Sequence, residues 1–413
     1  MKNPKNCCIL VTQPVRVIGD SNLKNFQLEL PTRIHFGTGV LESLGEETAR
    51  FGSKALIVYG QGSIKRNGIY NTVMDQLSAA GIETIEHAGV KPNPVLSHAE
   101  EGVTKAVKAG VDVIVAVGGG SVIDESKAIA LGCRHGEPLW DFYLRKLQVR
   151  EALPLVAVQT LPATSSELNQ ASVLTNEDTK EKYSARSIHI APKVSFLDPE
   201  YTKSIPLSYT AYACTDILSH MMEGYFTTTA SWIPVQDGMV EGVCRAVIEA
   251  MERLMSNPKD PDARAAVMWA GALAWSGLMN AGVDGAAIPN HMLEHPVSAH
   301  FDIAHGAGLS IIIPGWLKYR KNSIAHRIIR FGRFVLGMDS ELDSLPADKQ
   351  ADRVIEGLEN WYREIGTPVS FKEAGILNPD MESMADQAGV LCRHWGITGY
   401  SKEDIIKIYK LCI

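Results

Sequence analysis

Short apolar runs bounded by glycine alternate with stretches of helical spacing through the first half of the chain. Lys54-Ala-Leu-Ile-Val-Tyr59, closed by Gly60 and Gly62, has the length and content of a strand buried on both faces. Val111-Asp-Val-Ile-Val-Ala-Val117 repeats that pattern, and shorter runs at 155–159 and 194–197 add two more strands. A strand at 28–36 opens the main body, and another is predicted at 82–86. Between them, apolar residues return every three or four positions over 68–80 and 95–109, which predicts helices. Pro92-Asn93-Pro94 is a turn. The alternation of strand and helix predicts a parallel sheet with helices on both faces.

After Pro206 the period changes. Helical spacing dominates at 208–226, 235–255, 263–279, 290–299 and 308–319, and no strand pattern follows residue 200. The expected fold class is an N-terminal α/β dinucleotide-binding domain, Rossmann-like with a parallel sheet, followed by an all-α C-terminal domain. The expected divisions are an extension at 1–27, the α/β domain at 28–205 and a helical metal-binding domain at 206–413.

Composition narrows the function. The 413 residues are 45% hydrophobic and 21% charged, the profile of a globular protein. A formal charge of −7 argues against nonspecific nucleic-acid binding. No apolar run has transmembrane length. Lys2 and Lys5 precede Cys7-Cys8-Ile9-Leu10-Val11, but Thr12, Gln13 and Pro14 end that stretch too early for a signal peptide. The seven cysteines form no Cys-x-x-Cys pair and read as reduced thiols of a cytoplasmic protein. The 9–18 stretch is a candidate for pairing across a homodimer.

Val117-Gly118-Gly119-Gly120-Ser121-Val-Ile-Asp124 ends a predicted strand and opens a predicted helix. Glycines let a backbone approach a pyrophosphate, and the N–H groups of a helix start attract its charge. Ser121 and Asp124 also have capping-box spacing, so a well-capped tight turn explains the same residues. The spacing is not Gly-x-Gly-x-x-Gly, and it follows a later strand than the fingerprint requires. Upstream, Gly60-Gln61-Gly62-Ser63-Ile64-Lys65-Arg66 contains no acid to hold a ribose 2′-hydroxyl. Its small polar groups and two cations suit a 2′-phosphate, favouring NADP(H) over NAD.

Asp216 and His220 are four apart on a predicted helix, as are His291 and His295 on another, and His305 follows. One carboxylate and several imidazoles suit a borderline divalent cation with a position open to substrate. The segment His291-Met-Leu-Glu294-His295 also spells the His-x-x-Glu-His motif of inverzincin peptidases, with Glu294 as base. That reading has no use for the glycine turn and leaves Asp216, His220 and His305 idle. Trp232, Met239, Trp269, Trp275 and Met279 have the spacing of core residues, with a substrate pocket as the alternative.

Together these segments resemble the iron-containing (group III) alcohol dehydrogenases over about 28–413, most closely the branch of NADPH-dependent aldehyde reductases and butanol dehydrogenases. The matching segments are Pro31-Thr-Arg-Ile-His-Phe-Gly37, Gly118 to Asp124, Thr160-Leu-Pro-Ala-Thr164, Leu197-Asp-Pro199, Asp216-x-x-x-His220, and His291-Met-Leu-x-His295 through His305. The resemblance implies a dehydroquinate synthase-like fold, with an active site in a cleft between the domains. It implies Asp216, His220, His291 and His305 as ligands of Fe²⁺ or Zn²⁺, and His295 as a catalytic residue near the nicotinamide but off the metal. Gly119, Gly120 and Ser121 match the pyrophosphate loop, with Asp124 beside it. Thr160, Leu161 and Thr164 match residues around the adenosine and nicotinamide ribose, and Lys182 matches a lysine on the cofactor ribose. Gly60, Gly62 and Ser63 match the region of the 2′-phosphate, and Asn93 joins the cofactor-binding candidates.

The implied reaction is metal-dependent hydride transfer between NADP(H) and a small aldehyde or primary alcohol, in a homodimer with no nucleic-acid or membrane partner. An NAD-dependent glycerol or diol dehydrogenase of the same superfamily is the alternative. Ser165 departs from the family pattern, standing where glycine is common. Cys214 and Thr215 replace the usual glycine and aliphatic residue before Asp216, and His300 is an additional imidazole.

Overall fold

The computed structural model describes residues 23–413. The predicted 9–18 pairing segment lies outside them. In chain order the first half runs β1 (Arg33–Phe36), α1 (Leu44–Ala49), β2 (Lys54–Tyr59), α2 (Ser63–Arg66), α3 (Ile69–Ala79), β3 (Glu83–Ala88), α4 (Leu96–Ala109), β4 (Val113–Gly118), α5 (Gly120–Gly132), α6 (Leu139–Tyr143), β5 (Leu155–Gln159), β6 (Ala171–Asn176), β7 (Glu181–Arg186) and β8 (Val194–Leu197). Six strands form one sheet in the order β1-β8-β5-β4-β2-β3, every neighbour parallel.

The alternation of side chains along these strands builds two cores. Ile57, Tyr59, Val115, Val117 and Val158 meet Leu41, Leu44, Val73 and Leu77 on one face. Leu56, Val58, Ile114, Ala116 and Ala157 meet Ala106, Ile123 and Ile129 on the other. Helices therefore cover both faces, and the central strands carry no polar alternation because neither face meets water.

The remaining helices are α7 (Leu207–Thr227), α8 (Pro234–Ser256), α9 (Pro261–Ala274), α10 (Pro289–Phe301), α11 (His305–Phe334), α12 (Asp339–Asp343), α13 (Ala347–Glu364), α14 (Met381–His394) and α15 (Lys402–Lys410). Inside their core, Arg327 donates to both Asp237 oxygens at 2.9 and 2.6 Å and to the Tyr225 carbonyl at 2.9 Å. That satisfies a guanidinium only 6% exposed. No described helix is long and apolar enough to cross a membrane.

Several elements differ from the predicted pattern. The first strand begins at Arg33 instead of residue 28: none of residues 28–32 is buried, and Pro31 offers no N–H to a ladder. β6 and β7 form an antiparallel pair that the sequence reading missed, because Glu181-Lys-Tyr-Ser-Ala-Arg186 is polar and poor in β-branched residues. The helix predicted at 263–279 stops at Ala274. α11 starts three residues earlier than predicted and runs on through Pro314 to Phe334, with non-helical backbone at Ile324. Contacts divide the described chain into two compact units. One holds Phe26–Ile205 with Gly271–Leu278, and the other holds 23–25, Pro206–Ala270 and Met279–Ile413. In the second unit, Leu23 bridges to Val283 and the Lys24 N–H donates to the Gly282 carbonyl.

Candidate metal and cofactor sites

α7 presents Asp216, His220 and Glu223 at spacings of four and three, which puts them on one helix face. α10 brings His291, and α11 opens with His305. The Asp216 Oδ1 atom lies 3.3 Å from His220 Nε2, 3.4 Å from His291 Nε2 and 3.9 Å from His305 Nε2. Three imidazole nitrogens thus converge on one carboxylate oxygen. Asp216 Oδ1 and His291 Nε2 are buried and make no hydrogen bond. A buried carboxylate oxygen ringed by nitrogen donors, none at bonding geometry, fits a divalent cation better than it fits itself.

Two further carboxylates orient the imidazoles. Glu223 accepts from His291 Nδ1 and from the Asn290 and His291 backbone N–H groups, the last at 3.2 Å. Glu294 accepts from His305 Nδ1 and from the Ser298 hydroxyl. Both are fully buried. Each Nδ1–H bond turns the opposite nitrogen, Nε2, toward Asp216, the carboxylate–histidine arrangement that supports metal ligands. The electrostatics agree. Burial would raise the Asp216 carboxyl, but the charges of His220, His291 and His305 hold it well below the usual range. Burial and the neighbouring His291 push His220 down. Burial opposes charge on His291, yet Glu223 and Asp216 raise it overall.

Among the remaining candidates, His295 has a ligand atom within 4.8 Å of ligand atoms of His305 and Glu294. His295 is half-buried on α10, its ring centroid 6.5 Å from that of His291 and 5.6 Å from that of His305. His300 is exposed and contacts Gln387 at 3.3 Å. Cys214 is fully buried, and burial pushes its thiol up to about 12, far from a ready thiolate. Glu294, the base of the peptidase reading, is committed to His305 and Ser298. The five apolar candidates do not share one environment: Met279 is buried, whereas Trp232 is 72% exposed and Trp269 40%.

At the end of β4 the three glycines serve close approach, and none of them has positive φ. A Cβ on Gly119 would lie 3.1 Å from Leu161 Cβ, and one on Gly120 would lie 2.3 Å from Thr164 Oγ1. The turn is therefore pressed against the 160–164 segment, joining two sets of predicted cofactor residues. Gly120→Val is expected to displace Thr164 and weaken binding of the predicted nicotinamide cofactor by about tenfold or more. Fluorescence titration checks this, and unchanged affinity would detach the turn from the cofactor.

The predicted capping box is corrected. Gly119 is the N-cap of α5 and no side chain caps it. Ser121 sits inside the first turn, and Asp124 turns away to accept from the Ser166 hydroxyl and, at 3.0 Å, from the Val173 N–H. The sequence reading also missed Lys127. Its fully buried ammonium donates to Ser166 Oγ at 2.9 Å, Asn169 Oδ1 at 2.8 Å, the Asn169 carbonyl at 3.1 Å and the Ala171 carbonyl at 2.7 Å. Lys127 thereby ties α5 to the 166–171 segment.

Ser165 has φ 52°, the left-handed region that explains a glycine preference there. Its side chain compensates: Oγ donates to the Gly271 carbonyl at 2.5 Å and accepts from the Trp275 N–H at 2.6 Å. These bonds secure the 271–278 segment to the α/β unit. Ser165→Ala keeps the backbone strain and loses both bonds, so it is expected to destabilise by about 1–3 kcal/mol. Ser165→Gly relieves the strain and should cost less. Equal unfolding midpoints for the two variants would contradict this account.

Around the predicted 2′-phosphate region, Gly62 caps the short α2 at φ 101°. Lys65 is engaged: its ammonium lies over the Tyr59 and Tyr70 rings and 3.4 Å from Glu86. Glu86 also accepts from Tyr70 at 2.8 Å and from Tyr59. Lys182 on β7 donates to Asn93 Oδ1 at 2.9 Å, where Asn93 takes φ 57°, so these two candidates meet.

Comparison with known proteins follows the same division. A family model described as iron-containing alcohol dehydrogenase matches residues 31–199, and its C-terminal counterpart matches 210–413. The chain is 37% identical to NADH-dependent butanol dehydrogenase A of Clostridium acetobutylicum, over 94% of this chain and 99% of that protein. It is 31% identical to an NADPH-dependent aldehyde reductase of Escherichia coli, over 86% and 90% of the two chains. Among solved structures, NADH-dependent butanol dehydrogenase A from Thermotoga maritima superposes with a TM-score of 0.89 at 38% identity, covering 95% of this chain and 99% of that one.

Proposed function

The chain belongs to the iron-containing alcohol dehydrogenase family, a family of metal-dependent oxidoreductases, and from that premise we propose that it transfers a hydride between NADP(H) and a small aldehyde or primary alcohol. The observation that carries the reading is the buried Asp216 oxygen facing the Nε2 atoms of His220, His291 and His305. We assign these four residues as the ligands of one divalent ion, Fe²⁺ or Zn²⁺. When bound, the ion supplies Lewis acidity to the substrate oxygen and the dinucleotide supplies the hydride.

The chain's own residues have separate tasks in this scheme. Glu223 and Glu294 keep His291 and His305 in the tautomer that leaves Nε2 as a lone pair. Gly119, Gly120 and Ser121 offer backbone N–H groups to the pyrophosphate at the start of α5, with Asp124 beneath them. Thr160, Leu161 and Thr164 line the cofactor, with Lys182 and Asn93 at its ribose. His295 exchanges a proton with the reacting oxygen, a role open to an imidazole near neutral pH.

The NADP(H) preference rests on the Gly60, Gly62 and Ser63 loop. It has no acid, although Glu86 engages Lys65 and leaves the 2′-phosphate to the loop and Arg66. The named relatives include both NADH- and NADPH-dependent enzymes. A cytoplasmic homodimer completes the reading; the described cysteines are all free thiols.

The test is NADPH oxidation with butanal by protein first stripped with a chelator and then reloaded. Activity is expected to vanish on stripping and return with Fe²⁺ or Zn²⁺. kcat/KM for NADPH should exceed that for NADH by about tenfold or more, the worth of one charge-assisted phosphate contact. A preference for NADH would transfer the reading to the NAD-dependent alternative. Full activity in metal-free protein would end the metal assignment.

A further inference from the structure

A second group of metal-ligating side chains lies within the α/β unit. His87 sits on β3, His98 on α4 and Glu125 on α5. His98 Nε2 is 3.2 Å from the Ala88 carbonyl oxygen. A carbonyl only accepts, so Nε2 carries the hydrogen. Nδ1, on the opposite side of the ring, faces Glu125 Oε1 at 2.6 Å. His87 Nε2 is 3.3 Å from the same oxygen, and the two rings stack with centroids 4.2 Å apart. A cation, either a proton on Nδ1 or a metal ion, must lie between that nitrogen and the carboxylate. Glu125 is fully buried, and its other oxygen, Oε2, has no hydrogen-bond partner. A buried carboxylate in this state requires compensation by a positive charge.

We propose that His87, His98 and Glu125 form a second divalent-cation site, suited to a borderline metal of the Zn²⁺ class. One ligand atom from each residue lies within 4.8 Å of the other two. The 3.3 Å gap between His87 Nε2 and Glu125 Oε1 matches the edge of a tetrahedron with metal–ligand bonds of about 2.0–2.1 Å, and the 2.6 Å gap between His98 Nδ1 and that oxygen would open to a similar length when the ion replaces the proton. The His98 side chain is 21% exposed, which gives an ion a route in and leaves a fourth position for water. Gly102 on α4 makes the close packing possible: a Cβ there would lie 3.0 Å from His87 Nε2 and 2.4 Å from Ile129 Cδ1. The ion joins β3 and α4 to α5, the helix that begins at the glycine turn. Its role is structural, and its binding adds to the stability of the folded state.

Metal content of the full-length protein after equilibration with Zn²⁺ and desalting tests the proposal. The wild type is expected to hold two ions per chain, and Glu125→Gln and His291→Ala one each. The ion retained by His291→Ala should be replaceable by Co²⁺ with the visible absorption of a tetrahedral site, and that absorption should disappear when Glu125→Gln is added. His98→Gln, at a partly exposed position, replaces Glu125→Gln if the latter fails to fold. Equal zinc content in the wild type and the Glu125 or His98 variant overturns the proposal. So does a His291→Ala protein that takes up no Co²⁺; a proton shared by His98 and Glu125 then supplies the missing charge. Retention of this ion by His291→Ala keeps the result separate from the fate of the Asp216 cluster.

Discussion

The His291→Ala protein is expected to lose the ion of the Asp216 cluster and about a thousandfold in kcat/KM for aldehyde reduction, while NADPH still binds. Within the cluster His291 stacks on His220, their ring centroids 4.3 Å apart. Its Nε2 is 3.4 Å from Asp216 Oδ1 and its Nδ1 is held by Glu223. Alanine removes a proposed ligand and also leaves Glu223, at 0% exposure, without its imidazole partner. Lewis-acid stabilisation of a developing alkoxide is worth several kcal/mol, and about 4 kcal/mol corresponds to a factor of about a thousand. Glu223→Gln provides a graded comparison. It leaves all four donors in place and removes only the charge behind His291, so a loss of about 10–100-fold in metal affinity is expected. Elemental analysis and steady-state kinetics on both variants decide. Wild-type turnover in metal-free His291→Ala would sink the ligand assignment.

Lys127→Met is expected to destabilise the protein by about 3–5 kcal/mol, the range for breaking a buried charge network by removing one partner. Methionine keeps most of the stem volume, so the loss isolates the ammonium group. Burial pulls Lys127 down to about 8, opposed by the charges of Asp124 and Glu167, so it stays largely protonated at neutral pH. It donates to four acceptors in the 166–171 segment. Ser166 passes the connection to Asp124, whose half-buried carboxyl is raised by desolvation. Without the ammonium, that carboxylate loses its nearest compensating charge and two carbonyls lose a donor. Because the same loop carries Thr164 against Gly120, NADPH affinity should fall with stability. Urea unfolding followed by circular dichroism measures the first effect and fluorescence titration the second. A stability change within about 0.5 kcal/mol would show that the network is not a stabilising element.

The parts of the fold that were legible in the sequence share a physical reason. β2, β4 and β5 are apolar on both faces because helices cover the sheet on both sides, so a largely apolar run marks them. The β6–β7 pair was not legible, since the polar run 181–186 carries no period-2 signal. Helical spacing places Asp216 and His220 on one face, and the structure has them 3.3 Å apart. Glu223 and Glu294 went unassigned as partners because glutamate on a helix is ordinarily solvated. Only the fold shows that both are buried against imidazoles. Lys127 was missed for the same reason. The glycine turn drew attention as a phosphate cradle, but its contacts with Leu161 and Thr164 depend on a segment some forty residues later in the chain, which local spacing cannot reveal. Trp232 shows the converse: a large aromatic at helical spacing reads as core, and it stands 72% exposed.

Anomalous diffraction at the iron and zinc absorption edges, from crystals of metal-loaded protein, addresses the central claim directly. The account predicts a strong peak about 2.0–2.2 Å from one Asp216 oxygen and from the Nε2 atoms of His220, His291 and His305, with His295 outside bonding distance. A fully loaded crystal with no peak among those four side chains, or with an ion held by His291 and His295 instead, would contradict it.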